Sequence, residues 1–379
     1  MANKAIRYRL YPTTEQCVMF AKTFGCCRKV WNLILSDKVN SYKVTGKFGS
    51  FTPAMYKEDF PYLKEVDSLA LANVQMNLQA AFRNCFDKKR KKQNGFPKFK
   101  SGKRCHKSYT TNNQHGTVAV VDCKYIKLPK LGNVKAVIHR RPDDDWTIKS
   151  ATVSQESDGT YYASVLFEYD EKAVSYVPDM DNAIGLDYAS DGLYVDSEGN
   201  RATEHKYYRE SQRKLAKAQR KLSRMHGSKK GEAKSRNYLK QLCKVNKIYR
   251  HVSNQRSDNL HKLSTKIANS YDIVCVEDLN MRAMSNKGFG NGKVTMDNGY
   301  GMFLNLLSYK LHDRGKILVK VDRWFPSSQI CHCCGRRHPV MKDLSIRTMS
   351  CECGLDMDRD HNAAINIKNE GLRMLRAAA

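Results

Sequence analysis

The hydrophobic pattern divides the first half of the chain into a strand, a helical stretch and a second group of strands. Residues 4–10 alternate between apolar and polar side chains, which predicts a β-strand. Thr13 and Thr14 offer a helix N-cap, and from there to about residue 92 apolar residues recur at helical spacing, so we expect a small helical bundle. Between about residues 108 and 170 the period falls to two, with a turn at Ser157-Asp158-Gly159. This pattern predicts an antiparallel, β-barrel-like domain that pairs with the first strand and carries the helices as an insertion.

The second half of the chain alternates strands with helices. Residues 183–200 predict a strand, a turn and a strand, and we expect a third strand at about 201–206. The elements that follow are a helical hairpin over Lys206–Arg250 broken at Gly227 and Gly231, a buried strand Ile273–Val276, a flexible loop at 285–299, a helix Met302–His312, a strand Ile317–Val321 and a helix Arg359–Arg373. This order matches a ribonuclease-H-like sheet, so the predicted fold class is α/β and multidomain.

Positive charge is concentrated in two segments. The chain has 66 Lys+Arg against 38 Asp+Glu, a formal net charge of +28, which favours binding of a polyanion. Lys88–Arg104 holds nine Lys/Arg and no acid, and Lys206–Arg250 holds sixteen Lys/Arg and two acids. A solvated linker or helix face is the alternative, although solvated faces normally mix both signs. We predict nucleic-acid contacts from Lys88, Lys89, Arg90, Lys91, Lys92, Lys98, Lys100, Arg213, Lys214, Arg220 and Lys221.

Two absences in the sequence bear on where the chain acts. No run of about 18 apolar residues is present, which argues against a transmembrane helix. The N-terminal segment lacks the apolar core of a secretory signal.

Of the thirteen cysteines, five lie between Cys331 and Cys353 and the others are scattered, which indicates a reducing cytosol and one metal site rather than a disulfide framework. We therefore expect a cytoplasmic protein without a membrane partner.

The cysteine cluster predicts a structural zinc site. It contains a CxxC pair and, after sixteen intervening residues, a CxC pair: Cys331, Cys334, Cys351 and Cys353. Four thiolates at two hairpin tips can close a tetrahedral zinc site with no open position, so the metal would be structural and not catalytic. His332 or Cys333 could replace a ligand, although Cys333 lies between the paired residues and is expected to point away. A redox CxxC is the alternative, but the surrounding pattern lacks the fold that it requires.

Three carboxylates stand at the ends of hydrophobic elements. Asp187 lies on the apolar strand AIGLDYA, Glu277 ends the strand IVCVE and Asp360 opens the last helix. Burial disfavours carboxylates, so this placement indicates a divalent cation that neutralises them. Each acid also has an ordinary explanation, as a strand-end turn residue, a helix-initiating acid and a helix N-cap respectively. In a ribonuclease-H-like sheet the three converge, and such a set supports two-metal phosphodiester hydrolysis. We rank Asp278, Asp356 and Asp358 lower, because Asp278 would point to the opposite side and Asp358 would lie in a loop.

Several segments together resemble the TnpB family. KAIRYRLYPTTEQ and FGCCRKVWN resemble its N-terminal signature, and FPKFKS resembles its basic middle segment. GLDYAS, VEDLNMR, DNGYGMFLNLLSYK, FPSSQICHCCG and CGLDMDRDHNAAINI resemble its RuvC and zinc-ribbon motifs in the same order. The similarity covers nearly the whole chain. The CxC spacing and the additional Cys333 depart from the family pattern at the zinc ligands.

The resemblance implies a transposon-encoded, RNA-guided DNA endonuclease related to CRISPR effectors. A guide RNA from the transposon end would pair with the target in double-stranded DNA, and the protein would read a short adjacent motif. The resemblance places the catalytic residues, with two Mg²⁺, at Asp187, Glu277 and Asp360, and the zinc ligands at the four cysteines named above. It implies four domains: a wedge β domain at 1–12 and 106–180, a helical recognition domain at 13–105, a RuvC-like nuclease domain at 181–322 and 356–379, and a zinc ribbon at 323–355.

Some assignments stay open at this point. Asn73 and Asn77, on the predicted helix at 68–82, are candidates for reading the adjacent motif, although packing inside the helical bundle explains them equally. A guide-independent transposase or junction resolvase would use the same acids. A nuclease-inactive RNA-guided regulator would normally lack one of them, and none is missing here. A zinc-ribbon DNA-binding regulator would make the acid pattern accidental.

Overall fold

The computed structural model describes residues 1–87, 95–102, 105–170, 175–190, 192–202, 207–229, 231–286 and 297–378. It divides into two compact units, Met1–Lys172 and Ala173–Ala379. No helix of the described residues is long and apolar enough to cross a membrane. Part of the predicted nucleic-acid contacts lies outside the described residues, namely Lys88, Lys89, Arg90, Lys91 and Lys92, as does most of the predicted loop at 285–299.

The first unit contains a seven-stranded antiparallel sheet. Its strands are β1 (Ala2–Tyr11), β2 (Lys107–Asn112), β3 (Ala119–Val121), β4 (Tyr125–Leu128), β5 (Gly132–Val137), β6 (Thr147–Gln155) and β7 (Tyr161–Tyr169), in the spatial order β2-β6-β7-β1-β5-β4-β3. β1 pairs with β7 along Ala2–Leu10 and with β5 along Arg9–Tyr11. The predicted pairing of the first strand with the later strands is therefore confirmed.

Two helices lie between β1 and β2 in the chain. α1 (Thr14–Thr45) begins with a capping box, in which the Thr13 hydroxyl accepts from the Gln16 N–H and the Gln16 side chain accepts from the Thr13 N–H. α2 (Ser68–Phe86) begins at Asp67, whose carboxylate accepts from two backbone N–H groups of the first turn. The predicted N-cap is confirmed, and the chain returns to the sheet only after both helices.

Aromatic side chains join the helices to this sheet. Phe20 and Phe24 of α1 stack with ring centroids 6.3 Å apart. The Phe20 ring lies 5.2 Å from that of Tyr161 on β7, and the Phe24 ring 5.8 Å from that of Tyr109 on β2. All four belong to one buried cluster, so the helices and the sheet share a single hydrophobic core.

The second unit is built on a four-stranded sheet. Its strands β8 (Ala183–Asp187), β9 (Val195–Asp196), β10 (Ile273–Glu277) and β11 (Ile317–Val321) lie in the order β11-β10-β8-β9. β8, β10 and β11 are parallel, and β9 is antiparallel to β8. The first four residues of both β8 and β10 are buried. Such continuous apolar strands are typical of parallel sheets that are covered on both faces.

Helices cover the two faces of this sheet. The helices of the unit are α3 (Tyr207–Ser223), α4 (Arg236–Ser270), α5 (Met281–Met284), α6 (Tyr300–His312) and α7 (Arg359–Ala378). Val274 and Val276 of β10 belong to the buried cluster that includes residues of α4 and α6. Cys275, between them, belongs to the cluster that includes residues of α7. A short hairpin of β12 (Thr348–Ser350) and β13 (Asp356–Asp358) precedes α7.

Gly185 of β8 allows α7 to approach the sheet closely. A Cβ placed there would meet the backbone of α7, with the Lys368 nitrogen at 2.8 Å and the Ala364 carbonyl oxygen closer still. We expect Gly185→Ala to lower the free energy of unfolding by about 1–3 kcal/mol, because backbone cannot rotate away from the added carbon. Urea unfolding followed by circular dichroism measures this. Gly25→Ala in α1, where nothing lies within 4 Å, is the control and should not destabilise.

Two predicted elements of this unit differ from the structure. In place of a third strand at about 201–206, the described residues show a single β-bridge between Val195 and Arg201, and residues 203–206 lie outside them. The second arm of the helical hairpin does not end near residue 250 but runs to Ser270, because Leu260 and Ile267 continue its apolar stripe into the core of the unit. The two-armed hairpin itself is confirmed, with α3 and α4 separated at Gly227 and Gly231.

Lys310 of α6 is a buried ammonium held by α4. It donates to the His261 carbonyl oxygen and to the Ser264 and Thr265 hydroxyls at 2.7–2.8 Å. Burial lowers its pKa from 10.5 to about 8. Between about pH 8 and pH 10.5 the unfolded state therefore binds more protons than the folded state. The contribution of Lys310 to the free energy of unfolding rises with pH in that range.

Replacing Lys310 by methionine removes this titration. From about pH 7 to about pH 9 we expect the free energy of unfolding of the wild type to increase relative to that of Lys310→Met by on the order of 1 kcal/mol. Urea unfolding of both proteins at several pH values measures the difference. If the free energies of unfolding of the two proteins changed in parallel with pH, the lowered pKa of the buried Lys310 would be contradicted.

Candidate functional site

Two of the predicted acids end neighbouring parallel strands. β8 ends at Asp187 and β10 ends at Glu277, and the register pairs Leu186 with Val276 directly before them. Because parallel strands end at the same edge of a sheet, the two carboxylates share its carboxyl edge. Asp360 lies in the first turn of α7, the helix that packs on β8. The structure therefore brings the three acids to one end of this sheet.

Burial and like charge act together on these acids. Burial raises the pKa of Asp187 well above its usual value, and the negative charges of Glu277 and Asp360 raise it further. Burial also raises the pKa of Glu277 and that of Asp360. Three partly buried carboxylates grouped in this way favour a neutralising cation.

Two buried hydroxyls lie beside the acids. The rings of Tyr188 and Tyr300 are 4.9 Å apart, and neither hydroxyl has a hydrogen-bond partner among the described residues. Burial raises the pKa of Tyr300 well above its usual value, and the charges of Asp187 and Glu277 add to this effect. The site thus offers carboxylate oxygens and unpartnered hydroxyls, a donor set that suits Mg²⁺ and the water it carries. These residues fit a magnesium site in their chemistry.

Arg201 pairs with two acids next to this site. Its Nη2 atom lies 3.0 Å from Oδ2 of Asp358 and 3.4 Å from Oδ2 of Asp360, and Nη1 of Arg347 lies 3.9 Å from the same oxygen of Asp360. The prediction that Asp358 lies in a loop is wrong, because it ends β13. Oδ1 of Asp358 accepts from the His361 N–H, so the N-cap role considered for Asp360 is filled by Asp358.

Ser327 contacts Glu277 from the segment after β11. Its hydroxyl donates to Oε1 of Glu277 at 2.6 Å, and this hydrogen bond lowers the pKa of Glu277 against the larger effect of burial. Its carbonyl oxygen accepts from Nδ2 of Asn366 on α7 at 2.8 Å. Asp278, the next residue, pairs instead with Arg323 at 2.6 Å. Glu277 and Asp278 therefore have different partners, as the alternation of a strand predicts.

The four predicted zinc ligands come together. The sulfur atoms of Cys331, Cys334, Cys351 and Cys353 all lie within 4.8 Å of one another. Within the described residues, these cysteines form the one group of three or more His, Cys, Asp or Glu side chains whose ligand atoms lie that close together. The oxygens of the three acids are farther apart. Burial raises the pKa of Cys331, but the backbone N–H groups of Cys334 and Cys333, together with the thiols of Cys353 and Cys334, lower it to about 7, which favours the thiolate that binds metal.

The residues next to these cysteines have other roles. Cys333 is exposed and lies outside the sulfur cluster, as predicted. The backbone N–H and Nδ1 of His332 both lie within about 3.1 Å of Oδ1 of Asn362 on α7. A histidine that the sequence did not single out, His338, has Nε2 3.2 Å from the sulfur of Cys351. The cysteine set is therefore joined to the helix that carries Asp360.

The helical hairpin encloses a basic groove of about 1030 Å³ between α3 and α4. Apolar side chains such as Met225 and Ile248 line it. Its basic side chains are Lys214, Lys217, Arg220, Lys221, Arg224, Lys244 and Lys247. Three of the four nucleic-acid contacts predicted in this hairpin are among them, and Arg213 does not line the groove.

A small polar pocket of about 100 Å³ in the first unit contains both predicted motif-reading residues. Asn73 and Asn77 of α2 line it together with basic side chains, among them Arg28 and Lys100. The Asn73 amide donates to the Leu69 carbonyl oxygen at 2.9 Å and lies 3.4 Å from Oδ1 of Asn112 on β2. Its packing role is therefore visible in the structure, whereas motif reading stays a prediction.

The two remaining predicted contacts of the basic middle segment pack on Trp31. Nζ of Lys100 lies 3.7 Å from the centroid of the Trp31 ring, and burial lowers its pKa. The Lys98 carbonyl oxygen accepts from the Trp31 indole N–H at 3.1 Å. The described part of this segment is thus fixed against α1.

Family models match three parts of the chain. A model described as "Probable transposase", of the IS605 OrfB type, matches residues 164–287, which include Asp187 and Glu277. A model described as "Cas12f1-like, TNB domain" matches residues 300–367, which include the four cysteines and Asp360. A helix-turn-helix model of the same IS605 OrfB type matches residues 1–47, where the structure has β1 and the single long helix α1.

Relatives extend the similarity over the whole chain. A protein of Acanthamoeba polyphaga mimivirus named TnpB-like is 29% identical over 34% of this chain and 25% of its own length. A Streptomyces pristinaespiralis protein named as an RNA-guided DNA endonuclease is 32% identical over 97% of this chain and 89% of its own length. The chain belongs to the TnpB family. The Escherichia coli K12 protein InsQ, also named as an RNA-guided DNA endonuclease, is 28% identical to this TnpB protein over 98% of the chain and 93% of its own length.

A solved structure shares the fold of this TnpB protein. The Cas12f1 chain in a complex with sgRNA and target DNA aligns with a TM-score of 0.55 at 12% identity, over 97% of this chain and 99% of that one. At this identity the likeness concerns the α/β fold alone.

Sequence reasoning missed several residues around the acids of this TnpB protein. Ser327 was visible as part of the FPSSQ segment, but nothing in a linear pattern indicates which acid its hydroxyl reaches. Arg201 lies more than 150 residues from its two partners, so only the fold reveals the pairing. Tyr300 lies just before the predicted helix Met302–His312, in a segment that resembles a TnpB motif, and nothing in the sequence indicates that its hydroxyl is buried beside the acids.

Proposed function

We propose that this TnpB protein is an RNA-guided DNA endonuclease of an insertion-sequence transposon that hydrolyses target DNA at Asp187, Glu277 and Asp360. The observation that carries the proposal is the grouping of the three acids at the carboxyl edge of the second sheet, where burial and the charges of Glu277 and Asp360 raise the pKa of Asp187. Carboxylates grouped in this way repel one another unless a cation neutralises them. Their arrangement is therefore explained best by metal binding.

The three carboxylates would hold two Mg²⁺ ions. When bound, the metals activate a water molecule and stabilise the leaving oxygen of the phosphodiester. Ser327 orients Glu277 by donating to Oε1, so the other oxygen of that carboxylate is directed toward the site. Arg201 and Arg347, near Asp360, would exchange carboxylate for phosphate as partner when a nucleic-acid backbone enters.

The basic groove between α3 and α4 would hold the guide RNA or its heteroduplex with DNA. Seven cations around an apolar floor can neutralise backbone phosphates while sugars and bases contact the floor. The polar pocket around Asn73 and Asn77 would read the short DNA motif, because amides and cations converge there on an accessible cavity. Lys98 and Lys100, together with the lysines and arginine at 88–92, would contact further phosphates of the nucleic-acid backbone.

The four-cysteine cluster would bind one structural zinc. All four positions are sulfur, so no coordination site is left for catalysis. The domains would be those expected from the resemblance: a wedge domain with an inserted recognition lobe in the first unit, and a RuvC-like domain with a zinc ribbon in the second. None of the thirteen cysteines, all of which lie in the described part of the chain, forms a disulfide, and this supports action in the cytoplasm.

Cleavage by purified protein tests the proposal. RNA that co-purifies is sequenced, a target matching its variable end is made, and cleavage is measured with Mg²⁺ before and after nuclease removal of the RNA. We expect cutting only with the matching RNA. Full cutting by RNA-free protein would overturn guide dependence and indicate a transposase or resolvase. Binding without cutting at any metal concentration would indicate a regulator.

A further inference from the structure

Trp324 is the most exposed aromatic side chain among the described residues, at 84%. The other two tryptophans are packed. Trp31 is 8% exposed, and the Trp146 ring stacks on that of Tyr169 at 4.6 Å. An indole left in water forfeits the burial of a large apolar surface, so this position calls for a reason beyond folding.

The backbone around Trp324 is held by specific hydrogen bonds. The Trp324 N–H donates to Oδ1 of Asp322 at 2.7 Å, and the Phe325 N–H donates to the Asp322 carbonyl oxygen at 3.0 Å. Phe325 packs against the buried cluster that includes Val321. The indole is therefore presented to solvent from a fixed turn between two anchored neighbours.

The segment with Trp324 is tied on both sides to the edge where the acids lie. Before it, Arg323 pairs with Asp278, the residue after Glu277. After it, Ser327 donates to Glu277 itself. β11, which leads into the segment, is parallel to β10, so Trp324 follows the carboxyl end of a strand next to the one that carries Glu277. The segment that carries the exposed ring thus begins and ends at contacts with the edge of the sheet where the acids lie.

We propose that Trp324 is a positioning residue that stacks on a nucleobase of the DNA strand being cut and so places the scissile phosphate at the acids. The inference rests on the proposed active site. A flat indole suits this task, because every base has a π-face and stacking tolerates any sequence, as guided cleavage of arbitrary targets requires. The net charge of +28 attracts a polyanion such as DNA more strongly than a protein surface with few acidic residues. DNA is therefore the favoured partner of the exposed indole.

Abasic substrates test the contact directly. The guided complex is given target DNA in which single abasic sites are placed at each position around the cut. With wild type, we expect one position to slow cleavage by on the order of tenfold. Trp324→Ala should slow cleavage of intact DNA by a similar factor. An abasic site at the sensitive position should not slow this variant further. Trp324→Phe should keep most of the wild-type rate. If the substitution and the abasic site slowed cleavage independently, so that their effects multiplied, the indole and the base would not be partners and the proposal would be overturned.

Fluorescence gives a second readout that does not depend on cutting. In the Asp187→Ala background, target loading should quench tryptophan emission, and most of this change should vanish when Trp324→Phe is added. Equal quenching in both proteins would overturn the stacking, because the change in emission would then come from Trp31 or Trp146. Leu344→Ala, 70% exposed and aliphatic, is the matched surface control and should cleave at the wild-type rate.

The two readouts separate this inference from the proposed function. If the wild type cuts a matched target and Trp324→Ala behaves like it on every substrate, the stacking role is wrong and the nuclease assignment stands. If the wild type does not cut, the proposed function fails, and the quenching measurement still decides whether the indole meets a base.

Discussion

Asp187→Ala is expected to abolish guided DNA cleavage while RNA and target binding persist. Asp187 is the acid that both other carboxylates influence, and its pKa is raised well above its usual value by burial and by their charges. Its loss would remove one of the three carboxylates proposed to hold the metals, so the rate should fall by on the order of 10³-fold or more, about 4 kcal/mol in barrier height. Single-turnover cleavage and filter binding with the same complex measure the two quantities.

Asp278→Ala is the matched control for this experiment. Asp278 follows Glu277 directly, but it is half exposed and pairs with Arg323 and Lys320. Its removal should leave cleavage within a few-fold of the wild type, because exposed pairs contribute little. Comparable losses in both variants would mean that the edge of the sheet responds to any loss of charge, and the three acids would lose their special role.

The elements that the sequence revealed share a physical reason. β8 and β10 are continuous apolar runs that end in an acid, and a parallel strand covered on both faces leaves such a pattern. The pairing of β1 with β7 was predictable because both alternate along their length. The cysteines were predictable because thiolates at hairpin spacing have few other uses.

What the sequence could not reveal depends on distant contacts. The bridge from Arg201 to Asp358 and Asp360 spans more than 150 residues, and no local period encodes it. The two-residue β9 is too short for alternation to be read. The length of α4 was underestimated because its charged surface hides the buried residues Leu260 and Ile267.

The zinc cluster and the acid site are connected through α7. Asn362, in its first turns, accepts from the His332 N–H and donates to the Ile330 carbonyl oxygen. Arg359 donates to the Asp343 carbonyl oxygen in the same cysteine-containing segment. Asp360 lies between these two anchors in the chain, so the position of its carboxylate depends on how firmly the cysteine segment is folded.

Cys331→Ser is therefore expected to remove bound zinc and to weaken cleavage as well. The hairpin of β12 and β13 has three residues per strand, too few to be stable alone, so we expect its folding to depend on the proposed zinc. We expect zinc to fall from about one per chain to near zero, and cleavage to fall at least about tenfold as the anchors of Asp360 loosen. Cys333→Ser, outside the sulfur cluster, should keep its zinc and its activity. Metal content by mass spectrometry and cleavage rates decide between them, and full activity of zinc-free protein would show that Asp360 is placed by α7 and the sheet alone.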